Sequence, residues 1–180
     1  MPASTEIETR RAVLADADAV GAINVRAWQD AFVRLFDAAD LVAMDPQERA
    51  ERWRQRIAAD GPDATLLVAV DPSRAVVGYV SVGVQRLDEG EEAEPGVGEV
   101  WAIYVDPTRR GTGAGGALMA AGLTELVERG CTVAVLWTPA DNAVGRAFYD
   151  RGGWRVDGGQ HTFTFGSRSV TEVRYRMDLS

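Results

Sequence analysis

The sequence predicts a single domain of the mixed α/β class, in which a sheet of about six or seven strands is flanked by helices. One observation behind this prediction is the order of the segments, because apolar residues recur at every second residue in strands and at every three to four residues in helices. That order is strand, helices, three strands, helix, strand, helix and two strands. A second observation is size, since 180 residues, 46% of them hydrophobic, suit one compact domain. We therefore predict one domain over residues 1–180.

A short strand and helices are predicted in the N-terminal third of the chain. Residues 7–13 form a β-rich run, and aspartates that can cap a helix follow it. Apolar residues recur at helical spacing over residues 20–36, after which the pattern weakens. Asp45 suits the cap position and Pro46 the first helical position, so a helix is predicted to begin here. We expect this helix to end near residue 60.

Three strands are predicted in the middle of the chain. Residues 64–70 and 75–84 are β-rich runs joined by Asp-Pro-Ser-Arg, which favours a tight turn. An acidic loop over residues 88–96 is expected to be a solvated connection or a rim that attracts a cationic substrate. The third strand covers residues 98–105. Three of its side chains are expected on one side: Trp101, Ile103 and Val105.

The remaining segments predict a parallel crossover followed by a closing pair of strands. A helix over residues 117–129 leads to a strand over residues 132–138, which is too apolar to have an exposed face. A last helix begins at Asn142. Residues 154–165 and 167–179 are the final two strands.

The composition excludes several classes of protein. A net charge of −8 argues against binding to nucleic acid or to an anionic membrane surface. No apolar run approaches the roughly 20 residues that span a bilayer, and the N-terminus has no secretory pattern, so a cytoplasmic protein is expected. Cys131 is the single cysteine and has no metal-ligand spacing around it, so we predict neither a disulfide nor a metal site.

A glycine-rich segment, residues 111–116, joins the predicted strand 98–105 to the following helix. Glycines allow backbone N–H groups to turn toward one centre, and the helix N-terminus adds its positive end. Arg109 and Arg110 add two full charges. The segment therefore predicts a site for a phosphate or pyrophosphate group.

Three interpretations of the glycines compete with one another. A Walker loop is excluded, because all 19 basic residues are arginine and the loop requires a lysine. A dinucleotide fold matches G-x-G-x-x-G as letters, but five residues separate the motif from its strand and the next strand ends in Thr138-Pro139 rather than an acidic residue. A purely structural role in helix packing is the remaining alternative.

Two segments resemble the GNAT superfamily of N-acetyltransferases. Residues 105–107, Val-Asp-Pro, and 110–115, Arg-Gly-Thr-Gly-Ala-Gly, are similar to its Q/R-x-x-G-x-G/A signature, which binds the pyrophosphate of acetyl-CoA. Residues 142–154 resemble a second family segment, headed by Asn and carrying Phe-Tyr and then Gly before an aromatic residue. The resemblance implies a strongly twisted central sheet flanked by helices, with splayed central parallel strands. The pantetheine arm of acetyl-CoA is expected in the gap between them.

The resemblance also implies the residues that hold acetyl-CoA. Backbone groups of the splayed strand are expected along the arm, the glycine segment at the pyrophosphate, and residues of the last helix beside the arm. The expected cofactor-binding residues are Ile103, Tyr104, Val105, Arg110, Gly111, Thr112, Gly113, Ala114, Gly115, Asn142 and Arg146. Asn142 is equally typical of an ordinary helix cap.

Transfer of an acetyl group to an amine needs a neutral nucleophile and a proton for the departing thiolate. Glu99 resembles the family residue that takes the amine's proton, often through water; the alternative is a carboxylate that only solvates the start of its strand. Tyr149 is the candidate acid for the thiolate, and its alternative role is a core contact beside Phe148.

The expected function is acetyl transfer from acetyl-CoA to a primary amine of a small molecule or peptide in a ternary complex. Trp28, Phe32, Phe36 and Trp53 are predicted mainly in the core, with one or two of them lining the acceptor pocket. Acidic residues at positions 30, 37 and 40 and in the loop around residue 91 indicate either a solvated acidic face, the favoured interpretation, or attraction of a cationic acceptor. The alternatives are a non-catalytic acetyl-CoA-binding sensor or interaction module and an oxidoreductase. Relatives often form homodimers, so the resemblance allows a homodimer here.

Overall fold

The computed structural model describes residues 7–59, 61, 63–87 and 92–179. The strands of this part of the chain are β1 Glu8–Arg11, β2 Ala64–Val70, β3 Val76–Val84, β4 Val97–Val105, β5 Val133–Pro139, β6 Arg155–Phe165 and β7 Arg168–Asp178. Its α-helices are α1 Ala17–Ala31, α2 Ala38–Val42, α3 Pro46–Ala59, α4 Ala114–Glu128 and α5 Ala143–Arg151. The strands form one open sheet in the order β1-β2-β3-β4-β5-β7-β6, which confirms the predicted mixed α/β class.

Local sequence signals explain several element boundaries. The Asp45 carboxylate accepts a hydrogen bond of 2.8 Å from the Gln47 backbone N–H at the start of α3, as expected of a capping aspartate. The Asn142 side chain likewise accepts from the Gly145 N–H at 3.1 Å and caps α5. Asp71 accepts from two backbone N–H groups of the turn between β2 and β3, so the predicted hairpin is present.

Two helix boundaries differ from the prediction. Helix α1 ends at Ala31, and Phe32 and Phe36 belong to an irregular segment before α2, because both rings turn into an apolar cluster against β6. Helix α4 starts three residues earlier than predicted, directly after Gly113. The first four residues of the acidic loop, residues 88–91, lie outside the described residues.

The sheet carries an apolar layer on each face. On one face, α4 and α5 cover a cluster that includes Val80, Leu118 and Leu126. On the other, α1 and α3 cover a cluster that includes Ile23 and Trp53. No helix among the described residues is long and apolar enough to cross a membrane.

The parallel strands β4 and β5 separate in the middle of the sheet. They pair from Val97 with Val133 to Val100 with Leu136, and β4 continues to Val105 without a partner on that side. This divergence is the splay expected from the resemblance. It leaves backbone N–H and C=O groups of the second half of β4 without a strand partner.

A β-bulge in β4 lies where the splay begins. Ala102 pairs with Ser81 and Val100 pairs with Val82, so Trp101 is the extra residue. Beyond the bulge, Ala102 and Tyr104 pack against the α1 and α3 cluster, while Ile103 and Val105 pack toward α4. The expectation that Trp101 shares a side with Ile103 and Val105 is wrong, because the bulge changes the alternation; the Trp101 indole instead donates to the Val84 carbonyl at 2.9 Å.

Candidate active site

The splay opens into a cavity of about 830 Å³. Its walls on one face of the sheet are the first turn of α4 and the residues of α5, and on the other face they are α1 and residues of β6 and β7. The lining strands β4 and β5 lie between these two halves. One continuous space therefore passes through the gap in the sheet.

The glycine segment forms the end of the cavity beside α4. Gly111 and Gly113 have φ angles of +76° and +87°, a conformation that favours glycine. A Cβ at Gly111, Gly113 or Gly116 would meet nothing within 4 Å, so space for a ligand lies against the main chain at all three. Gly115 differs, because a Cβ there would be 3.4 Å from the Phe148 ring, and this glycine serves helix packing.

The N-terminus of α4 has no side-chain cap. Gly113 occupies the cap position, and the first N–H groups of the helix, at Ala114, Gly115 and Gly116, lack intrahelical acceptors. All three residues line the cavity. The end of α4 can therefore donate several hydrogen bonds to an anionic group and place it at the positive end of the helix.

The two arginines of the loop are held by carboxylates. Arg110 pairs with Asp30 of α1 at 2.5 Å, and Arg109 pairs with Asp71 at 3.2 Å; both arginines line the cavity. The Thr112 hydroxyl donates to the Arg109 carbonyl at 2.8 Å and does not line the cavity. Because these pairs are about half exposed on the arginine side, the guanidinium groups lie near solvent, where an anion can reach them.

The α5 residues named from the sequence have local partners. The Asn142 amide caps α5 and also donates to the Thr138 hydroxyl at 3.1 Å, and Asn142 lines the cavity. Arg146 donates to the Tyr175 hydroxyl at 3.1 Å and to the Ala140 carbonyl at 2.9 Å, and it is not among the lining residues. Contact of either residue with acetyl-CoA stays a prediction.

Glu99 lines the cavity with its side chain fully buried. One carboxylate oxygen accepts from the Arg86 backbone N–H at 2.8 Å, and the other accepts from Arg86 Nε at 2.8 Å and from its terminal nitrogen. Each oxygen therefore accepts at least one hydrogen bond from the same arginine. A role as base stays a prediction, and it would require Arg86 to share this carboxylate with the amine or with water.

Tyr149 lies at the gap, 9% exposed, and lines the cavity. Among the described residues, its hydroxyl has no hydrogen-bond partner. Burial raises the pKa of Tyr149 above its ordinary value, and the nearby Tyr175 and Glu172 raise it further. The phenol therefore keeps its proton at neutral pH, as a proton donor must. Its role as the acid stays a prediction.

A pair of polar side chains on β6 and β7 was not predicted from the sequence as part of the site. His161 Nε2 lies 2.7 Å from Glu172 Oε2, and both residues line the cavity. The His161 ring lies flat on Trp137 of β5, with centroids 4.1 Å apart and planes 8° apart. A signal was available, because the two-residue turn at Gly166 and Ser167 fixes the register that pairs residue 161 with residue 172.

Aromatic rings form the wall of the cavity on the α1 face. Trp28, Phe32 and Phe36 line it together with Phe163 of β6, and the Trp28 ring is 5.1 to 6.1 Å from the other three. More of the aromatic residues face the cavity than the one or two expected. Trp53 packs on Tyr79 in the core instead.

Comparison with known proteins agrees with this geometry. The family model described as "Acetyltransferase (GNAT) family" matches residues 16–154, more than half of the chain. A mycothiol acetyltransferase of Nocardioides sp. is 32% identical over 154 residues, 82% of this chain and 49% of that protein. The chain spans about a quarter to about half of the length of the mycothiol acetyltransferases that it matches.

Solved structures share the fold over nearly the whole chain. A ribosomal-protein-alanine N-acetyltransferase of Brucella melitensis superposes with a TM-score of 0.71 at 27% identity, covering 95% of this chain and 99% of that one. The PaiA N-acetyltransferase of Thermoplasma acidophilum, in complex with coenzyme A, gives a TM-score of 0.72 at 17% identity, covering 93% and 98%. The chain therefore belongs to the GNAT family of acetyltransferases.

Proposed function

We propose that this protein transfers an acetyl group from acetyl-CoA directly to a primary amine of a small molecule or peptide, with both substrates bound together. The observation that carries the proposal is the single cavity through the sheet. It joins the uncapped end of α4 on one face to the aromatic wall on the other. Two substrates entering from opposite faces can therefore meet at the gap between β4 and β5.

The residues on the α4 face suit acetyl-CoA. The open space at Gly111 and Gly113 fits a pyrophosphate, and the free N–H groups of α4 can hold it. The unpaired edge of β4, from Ile103 to Val105, fits an arm that carries amide groups, because such an arm supplies the missing hydrogen-bond partners. When bound, acetyl-CoA supplies an activated acetyl group as a thioester.

The chain's own contribution to the chemistry is positioning and proton handling. Effective molarities of about 10⁵ to 10⁸ M are available when two reacting groups are held together. Tyr149, kept protonated at the gap, is placed to supply a proton to the leaving sulfur. The amine itself must lose a proton before it can react.

The relatives suggest which acceptors to test. Several are named mycothiol acetyltransferases, and one solved neighbour is named a ribosomal-protein-alanine N-acetyltransferase. Mycothiol-related small molecules and peptides with an N-terminal alanine are therefore the first acceptors to examine. Because aromatic rings line one side of the cavity, amines with an apolar body, such as 2-phenylethylamine, should be included in the panel. A cytoplasmic location and a homodimer are further parts of this proposal.

The test is thiol release from acetyl-CoA across a panel of these amines, with product identified by mass spectrometry. We expect at least one primary amine to be acetylated, with rates that saturate in both substrates. Acetyl-CoA that binds in calorimetry but releases no thiol with any amine would favour the non-catalytic sensor instead.

A substitution at Gly166 tests the acceptor side of the cavity. The turn at Gly166 contacts α2, where the Ser167 N–H donates to Asp40 at 3.1 Å, and a Cβ at Gly166 would lie 1.9 Å from an Asp40 oxygen. The added methyl group must push the Asp40 carboxylate away and break its hydrogen bond to the Ser167 N–H, so we expect Gly166→Ala to loosen the hairpin that carries Phe163. The KM for the amine should rise about threefold, a loss of about 0.7 kcal/mol. The KM for acetyl-CoA should not change.

The matched control is Gly158→Ala. Gly158 also has a positive φ, +93°, but a Cβ there meets nothing within 4 Å. Both variants therefore place an alanine at a positive φ, and only Gly166→Ala also disrupts the contact between the turn and Asp40. Equal amine KM values for the two variants would show that the aromatic wall does not bind the acceptor.

A further inference from the structure

The pair His161 and Glu172 lines the cavity on the side proposed for the acceptor. The two residues face each other across β6 and β7, and their side chains are 32% and 15% exposed. Trp137, on which the His161 ring rests, follows the last residue of β5 that pairs with β4. The pair therefore stands beside the point where the cavity crosses the sheet.

We propose that His161 accepts the proton of the acceptor's amine and that Glu172 is its positioning residue. This inference rests on the proposed function and identifies a base for it. Glu99 is the other candidate at the gap, but each of its oxygens already accepts a hydrogen bond from Arg86. His161, in contrast, has one nitrogen without a hydrogen-bond partner among the described residues.

The hydrogen bond to Glu172 favours the tautomer of His161 that can accept a proton from the amine. A carboxylate accepts from Nε2–H, so the neutral ring carries its proton on Nε2 and a lone pair on Nδ1. Stacking on Trp137 fixes the plane of the ring. After Nδ1 takes a proton, Nε2–H keeps its hydrogen bond to the Glu172 carboxylate.

The other charged groups near this pair form ion pairs with one another. Arg174 lies over Trp137, with its guanidinium carbon 5.7 Å from the ring centroid, and pairs with Asp157 at 2.8 Å and with Glu94 at 3.9 Å. Tyr149 and Tyr104 lie close enough to Glu172 for its charge to help raise the pKa of each phenol, after the larger effect of burial. Glu172 is thus the anion that faces both His161 and the gap.

The step balances in atoms and charge. An amine with a pKa near 10.4 arrives as an ammonium ion. Its proton passes to His161 Nδ1 and then to water at the mouth of the cavity. The C–N bond forms as the thioester C–S bond breaks, and Tyr149 gives its proton to the sulfur and regains one from the nitrogen. The sum is one ammonium ion and one thioester giving one amide, one thiol and one released proton.

The experiment compares wild type, His161→Gln and Glu172→Gln in kcat/KM for 2-phenylethylamine between pH 6 and pH 9.5, or for whichever panel amine wild type acetylates fastest. At pH 7 we expect His161→Gln to lower kcat/KM about 100-fold. The acetyl-CoA affinity should not change. The deficit should shrink as pH rises, because more of the amine is already neutral. Glu172→Gln should lower kcat/KM by a smaller factor than His161→Gln without changing the acetyl-CoA affinity, because the imidazole remains but loses the carboxylate that fixes its proton on Nε2.

Methoxyamine provides a probe that needs no base, because it is already neutral at pH 7, and the His161→Gln deficit should largely disappear with it. Thr162→Gln, the next residue on the exposed opposite face of β6, is the matched control and should behave as wild type. A His161→Gln variant with the wild-type pH profile, or with an equal deficit for both amines, overturns the inference and leaves the proposed function standing. A wild type that acetylates no amine overturns both.

Discussion

Gly113→Glu will lower the affinity for acetyl-CoA about 100-fold or more, equivalent to about 2.7 kcal/mol. Gly113 is the cap of α4, with open space where a side chain would lie, so the new carboxylate enters the position proposed for the pyrophosphate. There it repels a like charge and satisfies the N–H groups that the ligand would use. Calorimetric titration with acetyl-CoA measures the effect.

Gly130→Glu is the control for strain and charge. Gly130 follows the other end of α4, has a φ of +84°, and a Cβ there also meets nothing within 4 Å. The two variants share the left-handed backbone and the added charge, but only Gly113 adjoins the cavity. An unchanged acetyl-CoA affinity in Gly113→Glu would remove the glycine segment from the binding site.

Tyr149→Phe will lower kcat about 100-fold, the lower end of what a positioned acid contributes, while acetyl-CoA binds nearly as before. The variant loses the proton that the leaving sulfur needs but keeps the ring that packs beside Phe148 and Trp154. Its folding should be little affected, because the hydroxyl makes no hydrogen bond to the described residues. Steady-state kinetics and calorimetry together measure the split.

The pH dependence of wild type follows from the same environment. Burial raises the pKa of Tyr149, so the phenol holds its proton beyond the value of about 10 that is ordinary for tyrosine. Loss of the Tyr149 proton should therefore not lower kcat at any pH below about 10. A fall in wild-type kcat at a pH well below 10 that is absent in Tyr149→Phe would contradict the raised pKa of Tyr149.

Tyr175→Phe distinguishes a catalytic hydroxyl from a structural one. Tyr175 is fully buried near Tyr149, and its hydroxyl donates to Asp150 at 3.0 Å and accepts from Arg146. Its loss should lower the melting temperature and leave kcat nearly unchanged, which is the reverse of Tyr149→Phe. Wild-type kinetics for Tyr149→Phe would exclude that residue from the mechanism.

The element order could be predicted because it depends on local signals. Alternation of apolar residues, the capping Asp45 and Asn142, and the turn at Asp71 are each encoded within a few residues. The end of α1 was predicted too late, because Phe32 and Phe36 continue the helical spacing but are drawn into a cluster with β6, more than 100 residues away.

The candidate site was predictable where it is built from one segment. The glycine loop and the head of α5 carry their chemistry in consecutive residues. The environment of the proposed acid and base residues was harder to predict. Glu99, for example, pairs with Arg86, which lies 13 residues earlier in the chain. His161 and Glu172 are 11 residues apart and meet only through the register of a hairpin.

The amino-acid sequence alone determined the family and the order of strands and helices, because each follows from neighbouring residues; the anion site before α4 is likewise predicted from consecutive residues. Only the tertiary structure decided that β4 and β5 part after Val100, that Trp101 forms a bulge, and that one cavity passes between the faces of the sheet. The physical reason is that pairing, register and burial depend on contacts between segments distant in the chain, and these form only when the whole sheet assembles.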